Sequence, residues 1–154
     1  MNIVLFQPEI PPNTGNVARQ CSVTGASLHL IKPLGFSIDE KACKRAGLDY
    51  WKMLDVHQYE SLEELWSTYP DGQYHYITKK AVKHYTEVSY GIDDFIVFGR
   101  ETSGLPKSIL EEKADDCLRI PMLDDPAARS LNLSNSVAVI LYEALRQNGF
   151  PCLI

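Results

Sequence analysis

Short apolar runs alternate with amphipathic or polar segments along the whole chain. Runs of about four or five residues, bounded by Gly, Pro or polar side chains, are typical of buried strands. They predict strands at 3–6, 28–31, 74–78, 95–98 and 117–120, with a smaller one at 53–56. Because helical segments separate these runs, the order predicts an α/β fold with a mostly parallel sheet and flanking helices. No repeat or linker interrupts the pattern, so residues 1–154 are predicted to form a single domain.

The clearest helical pattern lies near the C-terminus. Apolar residues recur there at the spacing of one buried helix face: Val137, Ile140, Leu141, Ala144 and Leu145. Asn132 or Ser134 is the predicted N-cap, and Asn148-Gly149 followed by Pro151 is the predicted end.

Four further helices are predicted from their end signals. Asn13 or Thr14 is the expected cap of a helix that Gly25 ends, and Ser61 faces Glu64 at capping-box spacing. The remaining two helices are predicted at 39–46, with Gly47 as the stop, and at 106–112.

Composition fits an ordinary globular protein, with 45% hydrophobic and 23% charged residues among 154. The longest uninterrupted apolar run, at 137–142, is far too short to cross a bilayer. The N-terminus lacks the basic segment of a signal peptide. We therefore expect a cytoplasmic protein without a membrane partner.

Charge and cysteine content narrow the candidate chemistry. The net charge is −5, with the deficit in residues 60–154, so any contact with RNA needs local basic patches. Lys79, Lys80 and Lys83 are one candidate, either for phosphate or simply as a solvated face. The four cysteines lack paired zinc-ligand spacing, so free thiols and no metal are expected.

Unusual residues concentrate at three junctions. Residues 98–106 follow a predicted strand and hold Gly99 and Gly104, in the place where α/β folds present loops to ligands. Residues 120–136 contain five Ser and Asn residues just before an apolar helix, whereas a cap requires only one. In the first junction, 13–19, Asn16 and Arg19 are three apart and lie side by side on a helix.

Common catalytic motifs are missing from the sequence. It contains no G-x-S-x-G elbow, no G-x-x-x-x-G-K-[ST] phosphate loop and no G-x-G-x-x-G. The four histidines are dispersed among apolar or mixed neighbours, which is more typical of structural histidines than of catalytic ones.

The three junctions together resemble the motifs of the SPOUT RNA ribose 2′-O-methyltransferases, in the same order and over nearly the whole chain. The matching stretches are Asn13-Thr14-Gly15-Asn16-x-x-Arg19, Phe98-Gly99-x-Glu101-x-x-Gly104-Leu105-Pro106, and Ile120-Pro121-Met122 with Ser130-Leu131-Asn132-Leu133-Ser134-Asn135. Ile10-Pro11-Pro12-Asn13 and Ala46-Gly47-Leu48-Asp49-Tyr50 are similar to the minimal bacterial subfamily, which methylates the wobble nucleotide of leucine tRNAs.

The resemblance implies a SPOUT-type fold with a deep C-terminal trefoil knot that binds S-adenosylmethionine. By this resemblance, the residues expected to line the cofactor pocket are Ile77, Thr78, Gly99, Glu101, Ile120, Met122, Ser130 and Leu131. It also implies an obligate homodimer in which Arg19 of the partner chain contacts the ribose hydroxyl, while Ser130 and Asn132 place the ribose. The implied RNA partner is the anticodon stem-loop of leucine tRNAs, and no metal is implied.

Alternatives remain open from the residues alone. The same chemistry could act on another tRNA position or on ribosomal RNA, and a non-catalytic RNA-binding module could share the fold. Arg19 could form a helix-surface ion pair, Glu101 could accept backbone N–H bonds within its loop, and Asn132 could be only a helix cap. The apolar final helix could serve a dimer interface or pack wholly within its own chain.

Overall fold

The computed structural model describes residues 1–37 and 54–154. Six strands of the described chain form one sheet in the order β3-β2-β1-β5-β4-β6, and every neighbouring pair is parallel. The strands are β1 Asn2–Phe6, β2 Ser27–Ile31, β3 Val56–Tyr59, β4 Tyr74–Ile77, β5 Phe95–Phe98 and β6 Cys117–Leu118. The predicted α/β class with a parallel sheet is confirmed.

Helices cover both faces of the sheet. They are α1 Pro11–Thr24, α2 Leu62–Thr68, α3 Lys107–Glu112 and α4 Leu133–Gln147, with short 3₁₀ turns at Ala114–Asp116 and Pro126–Ala128. The apolar sides of α1 and α4 pack together on one face, and those of α2 and α3 contribute to a separate core on the other. None of the described helices is long and apolar enough to span a membrane.

The burial of the central strands explains why the apolar runs that predict them contain no polar residues. In β1, Ile3 and Leu5 face the α1–α4 core while Val4 and Phe6 face the other core. Ile3, Val4 and Leu5 are at most 1% exposed, and burial of each such side chain contributes about 1.5–3 kcal/mol. A parallel sheet covered on both faces needs apolar residues at every position, not at alternate ones.

The strand order creates a topological switch at the centre of the sheet. From β1 the chain moves outward through β2 and β3, and it then crosses to the opposite half for β4, β5 and β6. The loops that follow β1 and β5 therefore leave adjacent strands at the carboxyl edge, where open α/β sheets bind ligands. The trefoil knot implied by the resemblance stays a prediction.

The predicted caps of α1 are wrong. Its first turn contains Pro11 and Pro12, Ile10 is the N-cap, and no side chain caps the helix. Proline suits this position because its fixed φ matches the helix and its missing N–H would lack an intrahelical partner. The predicted stop is confirmed, since Gly25 adopts a left-handed φ of 72° and its N–H bonds to Cys21 O.

Two strands differ from their predicted bounds by more than one residue. The strand predicted at 53–56 lies instead at 56–59, so the two ranges share only Val56. The apolar pattern predicts this strand poorly because it is an edge strand that is only partly buried and carries polar residues. The strand predicted at 117–120 pairs with β4 only through Cys117 and Leu118. At Arg119 the backbone pairs instead with His84.

The other end signals are largely confirmed. Ser61 Oγ accepts from Glu64 N at 3.3 Å, although the Glu64 carboxylate accepts from Glu60 N instead of completing the capping box. Of the two candidate caps of α4, Asn132 is the N-cap, and α4 ends before Asn148 and Gly149 as predicted. The helix predicted at 39–46 with its stop at Gly47, and Met53, lie outside the described residues.

Candidate active site

The loop after β5 folds back on itself in a way that requires glycine. A Cβ on Gly99 would lie 2.3 Å from Gly104 C and Leu105 N, a separation that real Cβ atoms do not show. Gly104 has a left-handed φ of 70°, and it exchanges two backbone hydrogen bonds with Arg100. The closed loop fixes the position of Glu101 between these two glycines.

The Glu101 carboxylate joins this loop to the loop after β1. Its two oxygens accept hydrogen bonds from Glu9 N at 2.9 Å, Ile10 N at 3.2 Å and Asn13 Nδ2 at 3.1 Å. In return, the Glu9 carboxylate accepts from the backbone N–H and the hydroxyl of Thr102. Hydrogen bonds to a charged acceptor are about twice as strong as neutral ones, so the two loops hold each other firmly.

Asn13 extends the connection to the third junction. Its side chain is nearly buried, and its Oδ1 accepts from Asn132 Nδ2 at 2.9 Å. Asn132 Oδ1 accepts in turn from the backbone N–H of Ser134 at 2.9 Å and from its hydroxyl at 2.7 Å. We call Glu101, Asn13, Asn132 and Ser134 the loop network; it brings all three predicted junctions together.

Most of the cofactor residues that the resemblance implies lie at the ends of three adjacent strands. Ile77 ends β4 and Thr78 follows it, Gly99 and Glu101 follow β5, and the 120–122 segment follows β6. Because the strands are parallel and ordered β5-β4-β6, these residues meet at one edge of the sheet.

Contacts between these exits agree with that placement. Thr78 N donates to Leu118 O at 2.9 Å, and Leu131 N lies 3.3 Å from Met122 Sδ. Ile77, Thr78, Ile120 and Met122 are partly buried there.

The three residues predicted to be catalytic differ in their surroundings. Asn132 belongs to the loop network and caps α4, so the cap interpretation holds beside any role toward a substrate. Ser130 is exposed and follows Arg129, which adopts a left-handed φ of 53°. Arg19 is exposed on α1, as is Asn16 one turn earlier.

The four histidines have partners outside the loop network. His29 bonds to Tyr59 Oη and Asn2 Oδ1, and burial lowers its pKa to about 4. His75 is buried against Asp94, with 2.8 Å between Nε2 and Oδ2. His57 pairs with Asp55, and His84 lies beside Glu87. Over the described ranges, no group of three or more His, Cys, Asp or Glu residues is arranged to hold a metal ion.

Comparison with known proteins identifies the family to which these motif loops belong. The profile of the SpoU rRNA methylase family matches residues 1–142. The chain belongs to the SpoU rRNA methylase family. The SPOUT resemblance predicted from the three motifs is thereby confirmed.

Three of the similar proteins match over nearly their whole length. A Yersinia pestis protein named tRNA (cytidine(34)-2′-O)-methyltransferase is 51% identical over 98% of this chain and 96% of its own. A solved structure from Bacillus anthracis matches with a TM-score of 0.93 and 53% identity, covering 99% of this chain and 96% of that one. Another, from work on 2′-OH methylation of C/U34 on tRNA, has a TM-score of 0.87 at 40% identity, covering 96% and 95%.

Sequence reasoning missed the bridging role of Asn13. We expected this residue, with Thr14, to cap α1, but its side chain connects Glu101 to Asn132 instead. Its place in the first motif was the one sequence signal for this role. A polar side chain that is buried in the first turn of a helix needs a hydrogen-bond partner.

Proposed function

We propose that this chain transfers a methyl group to the ribose 2′-hydroxyl of nucleotide 34, a cytidine or a modified uridine, in leucine tRNAs. The observation that carries the proposal is the loop network, which unites the three motif loops at the carboxyl edge of the sheet. The names of the relatives at about 50% identity support position 34 of tRNA. A cytoplasmic location, where tRNA is found, is part of the same proposal.

S-adenosylmethionine is the proposed methyl donor. The exits of β4 and β6 offer partly buried apolar side chains, among them Ile77, Ile120 and Met122, that suit the flat adenine ring. The Thr78 hydroxyl and main-chain groups around Gly99, Ile120 and Leu131 would hold the polar parts. The cofactor would supply an already activated sulfonium methyl group, so the transfer needs no metal.

Glu101 has a positioning role in this proposal. Three donors of the protein itself already occupy its carboxylate, so it shapes the loop that borders the cofactor pocket. Asn132 is held from both ends, with Nδ2 bound to Asn13 and Oδ1 bound to Ser134. A side chain fixed in this way can orient a ribose without losing further conformational entropy.

Arg19 of the partner chain would contact the target ribose. A guanidinium offers only N–H donors and is a poor general base, so we assign Arg19 to the developing negative charge on O2′ or to a neighbouring phosphate. The exposed Ser130 would help to place the same ribose.

The proposed homodimer cannot use the apolar face of α4. Val137, Ile140 and Leu141 on that face are 0% exposed within their own chain. The outward sides of α1 and α4 instead carry the exposed residues Val23, Val139 and Tyr142. These exposed apolar side chains support an interface formed by the outward sides of α1 and α4, and Arg19 on α1 would then lie at or beside that interface.

The test is mapping of transferred methyl groups by mass spectrometry of tRNA incubated with the protein and methyl-labelled S-adenosylmethionine. The proposal predicts 2′-O-methylation at nucleotide 34 of leucine tRNAs. It also predicts that Arg19→Ala abolishes transfer while cofactor binding survives. Absence of cofactor binding in the unaltered protein would overturn the proposal.

A second candidate substrate is ribosomal RNA, because the matching family is described as rRNA methylases. The chemistry and the site residues would be unchanged. Label in ribosomal RNA, with none at nucleotide 34 of tRNA, would favour this alternative.

A further inference from the structure

The lysines of the described chain fall into two groups. Lys32, Lys107 and Lys113 each lie within 3.2 Å of a carboxylate oxygen, from Glu60, Glu111 and Glu112 respectively. Among residues 1–37 and 54–154, no carboxylate lies within 4.0 Å of the amino groups of Lys79, Lys80 and Lys83, which we call the lysine segment. As far as the described residues are concerned, their charges are therefore available to another molecule.

The lysine segment is locally basic within an acidic protein. Residues 77–86 contain no Asp or Glu, whereas the whole chain carries a net charge of −5. All three lysines are exposed. Lys83 Nζ donates to the backbone oxygen of Asp115 at 2.7 Å, and this neutral acceptor does not cancel its charge. Val82 between them is 92% exposed, so the segment also offers an apolar contact.

Backbone pairing connects this segment to the candidate active site. Lys79 and Lys80 follow directly after Thr78, and Lys80 N donates to the Thr78 hydroxyl at 3.3 Å. Further along, Arg119 N donates to Lys83 O at 2.9 Å and Tyr85 N donates to Arg119 O at 2.9 Å. The lysine segment thus runs beside the exits of both β4 and β6, which border the proposed cofactor pocket.

We propose that the lysine segment binds the phosphate backbone of the RNA substrate and positions its target nucleotide. This inference rests on the proposed function and adds to it the protein surface that binds the RNA strand. Lysines contact phosphates as point charges without reading sequence, so the segment supplies affinity and register but no base specificity. An acidic protein needs such a patch because its overall field repels RNA.

The experiment measures binding of an unmodified leucine tRNA transcript as a function of salt concentration. Each lost phosphate contact lowers the slope of log K against log[salt] by about 0.7–0.9. Replacing all three lysines (K79Q/K80Q/K83Q) is therefore expected to lower the slope by about 2–3. Between 50 and 200 mM salt, the unaltered protein would lose about 20- to 60-fold more affinity than the variant.

The matched control removes the same number of charges from paired lysines (K32Q/K107Q/K113Q) and is expected to change the slope by less than about 0.5. K79Q/K80Q leaves the Lys83–Asp115 hydrogen bond intact and should lower the slope by about 1.5–2, which covers the case in which the triple variant folds poorly. In kinetics, the triple variant should raise KM for tRNA by a larger factor than it lowers kcat, while cofactor binding stays constant.

Two results would overturn the inference. One is an unchanged slope in both lysine-segment variants; the other is an equal decrease in the control. If the unaltered protein methylates nucleotide 34 while either result is found, only the RNA surface is wrong. If the unaltered protein neither binds nor methylates tRNA, the proposed function fails as well.

Discussion

Two carboxylates with similar hydrogen bonding lie at opposite ends of the sheet. At the carboxyl end, Glu101 accepts from three donors on the loop after β1 and on α1. At the amino end, Asp94 Oδ2 accepts from His75 Nε2 and from Gly91 N, both at 2.8 Å. Glu101 joins the loops of separate motifs, whereas Asp94 fixes the start of β5 to the neighbouring strand. Similar bonds can therefore serve the site in one place and folding stability in the other.

The largest expected effect is on catalysis, from Glu101→Ala. Loss of the carboxylate frees both loops and Asn13, and a displacement of about 1 Å at a site can cost about 100-fold in rate. We expect kcat/KM for methyl transfer to fall by at least about 100-fold, while the free energy of unfolding falls by only about 1–3 kcal/mol.

Two further variants calibrate that result. Glu101→Gln keeps the shape but turns one acceptor oxygen into a donor, so it should also lose activity. Glu111→Ala removes an exposed carboxylate that pairs with Lys107 and should leave transfer unchanged. Activity of Glu101→Ala within about 3-fold of the unaltered protein would contradict the positioning role.

Asp94→Ala should show the reverse pattern. It leaves the buried His75 Nε2 and Gly91 N without their acceptor, at about 1–3 kcal/mol each. We expect the free energy of unfolding in urea to fall by about 2 kcal/mol or more, with kcat of the folded protein within about 2-fold. The exposed neighbour provides the control, since Asp93→Ala should change stability by about 0.5 kcal/mol or less. A folded Asp94→Ala protein as inactive as Glu101→Ala would remove the distinction between the two ends.

His29 provides a smaller, pH-dependent effect in the other half of the sheet. Burial lowers its pKa from 6.5 to about 4, so between these values the unfolded state binds more protons than the folded state. The contribution of His29 to stability is therefore complete above pH 6.5 and is lost as the pH falls toward 4, with a slope of at most about 1.4 kcal/mol per pH unit.

The measurement is urea unfolding at several pH values between 4 and 7. His29→Gln should flatten the acid side of the curve relative to the unaltered protein, because glutamine does not titrate. An identical pH dependence in the two proteins would show that His29 takes up no proton on unfolding in this range.

Local sequence patterns predicted most elements and the three motif loops. The apolar run at 95–98 has the same bounds as β5, and Gly25 ends α1 as expected. The sequence predicts special backbone conformations at Gly99 and Gly104, and the structure confirms a close approach between them. These features depend on residues that are near one another in the chain.

Long-range contacts explain what the sequence could not reveal. Asn13 bonds to partners 88 and 119 residues away, and these bonds override its local tendency to cap a helix. The His75–Asp94 pair had no pattern that distinguished it from two ordinary loop and strand residues. The predicted bounds of the edge strand β3 are wrong because its polar residues interrupt the apolar pattern on which the prediction depends.

The most direct test of the loop network as the element that assembles the site is a double-mutant cycle between Asn13 and Asn132. It compares kcat/KM for methyl transfer in Asn13→Ala, Asn132→Ala and the double variant. If the network acts as one unit, the double variant should lose no more activity than the more damaging single variant, with a coupling energy of about 1 kcal/mol or more. If the activation free energies lost by the two single variants sum to the loss in the double variant within about 0.5 kcal/mol, the two residues act independently, which would contradict the account.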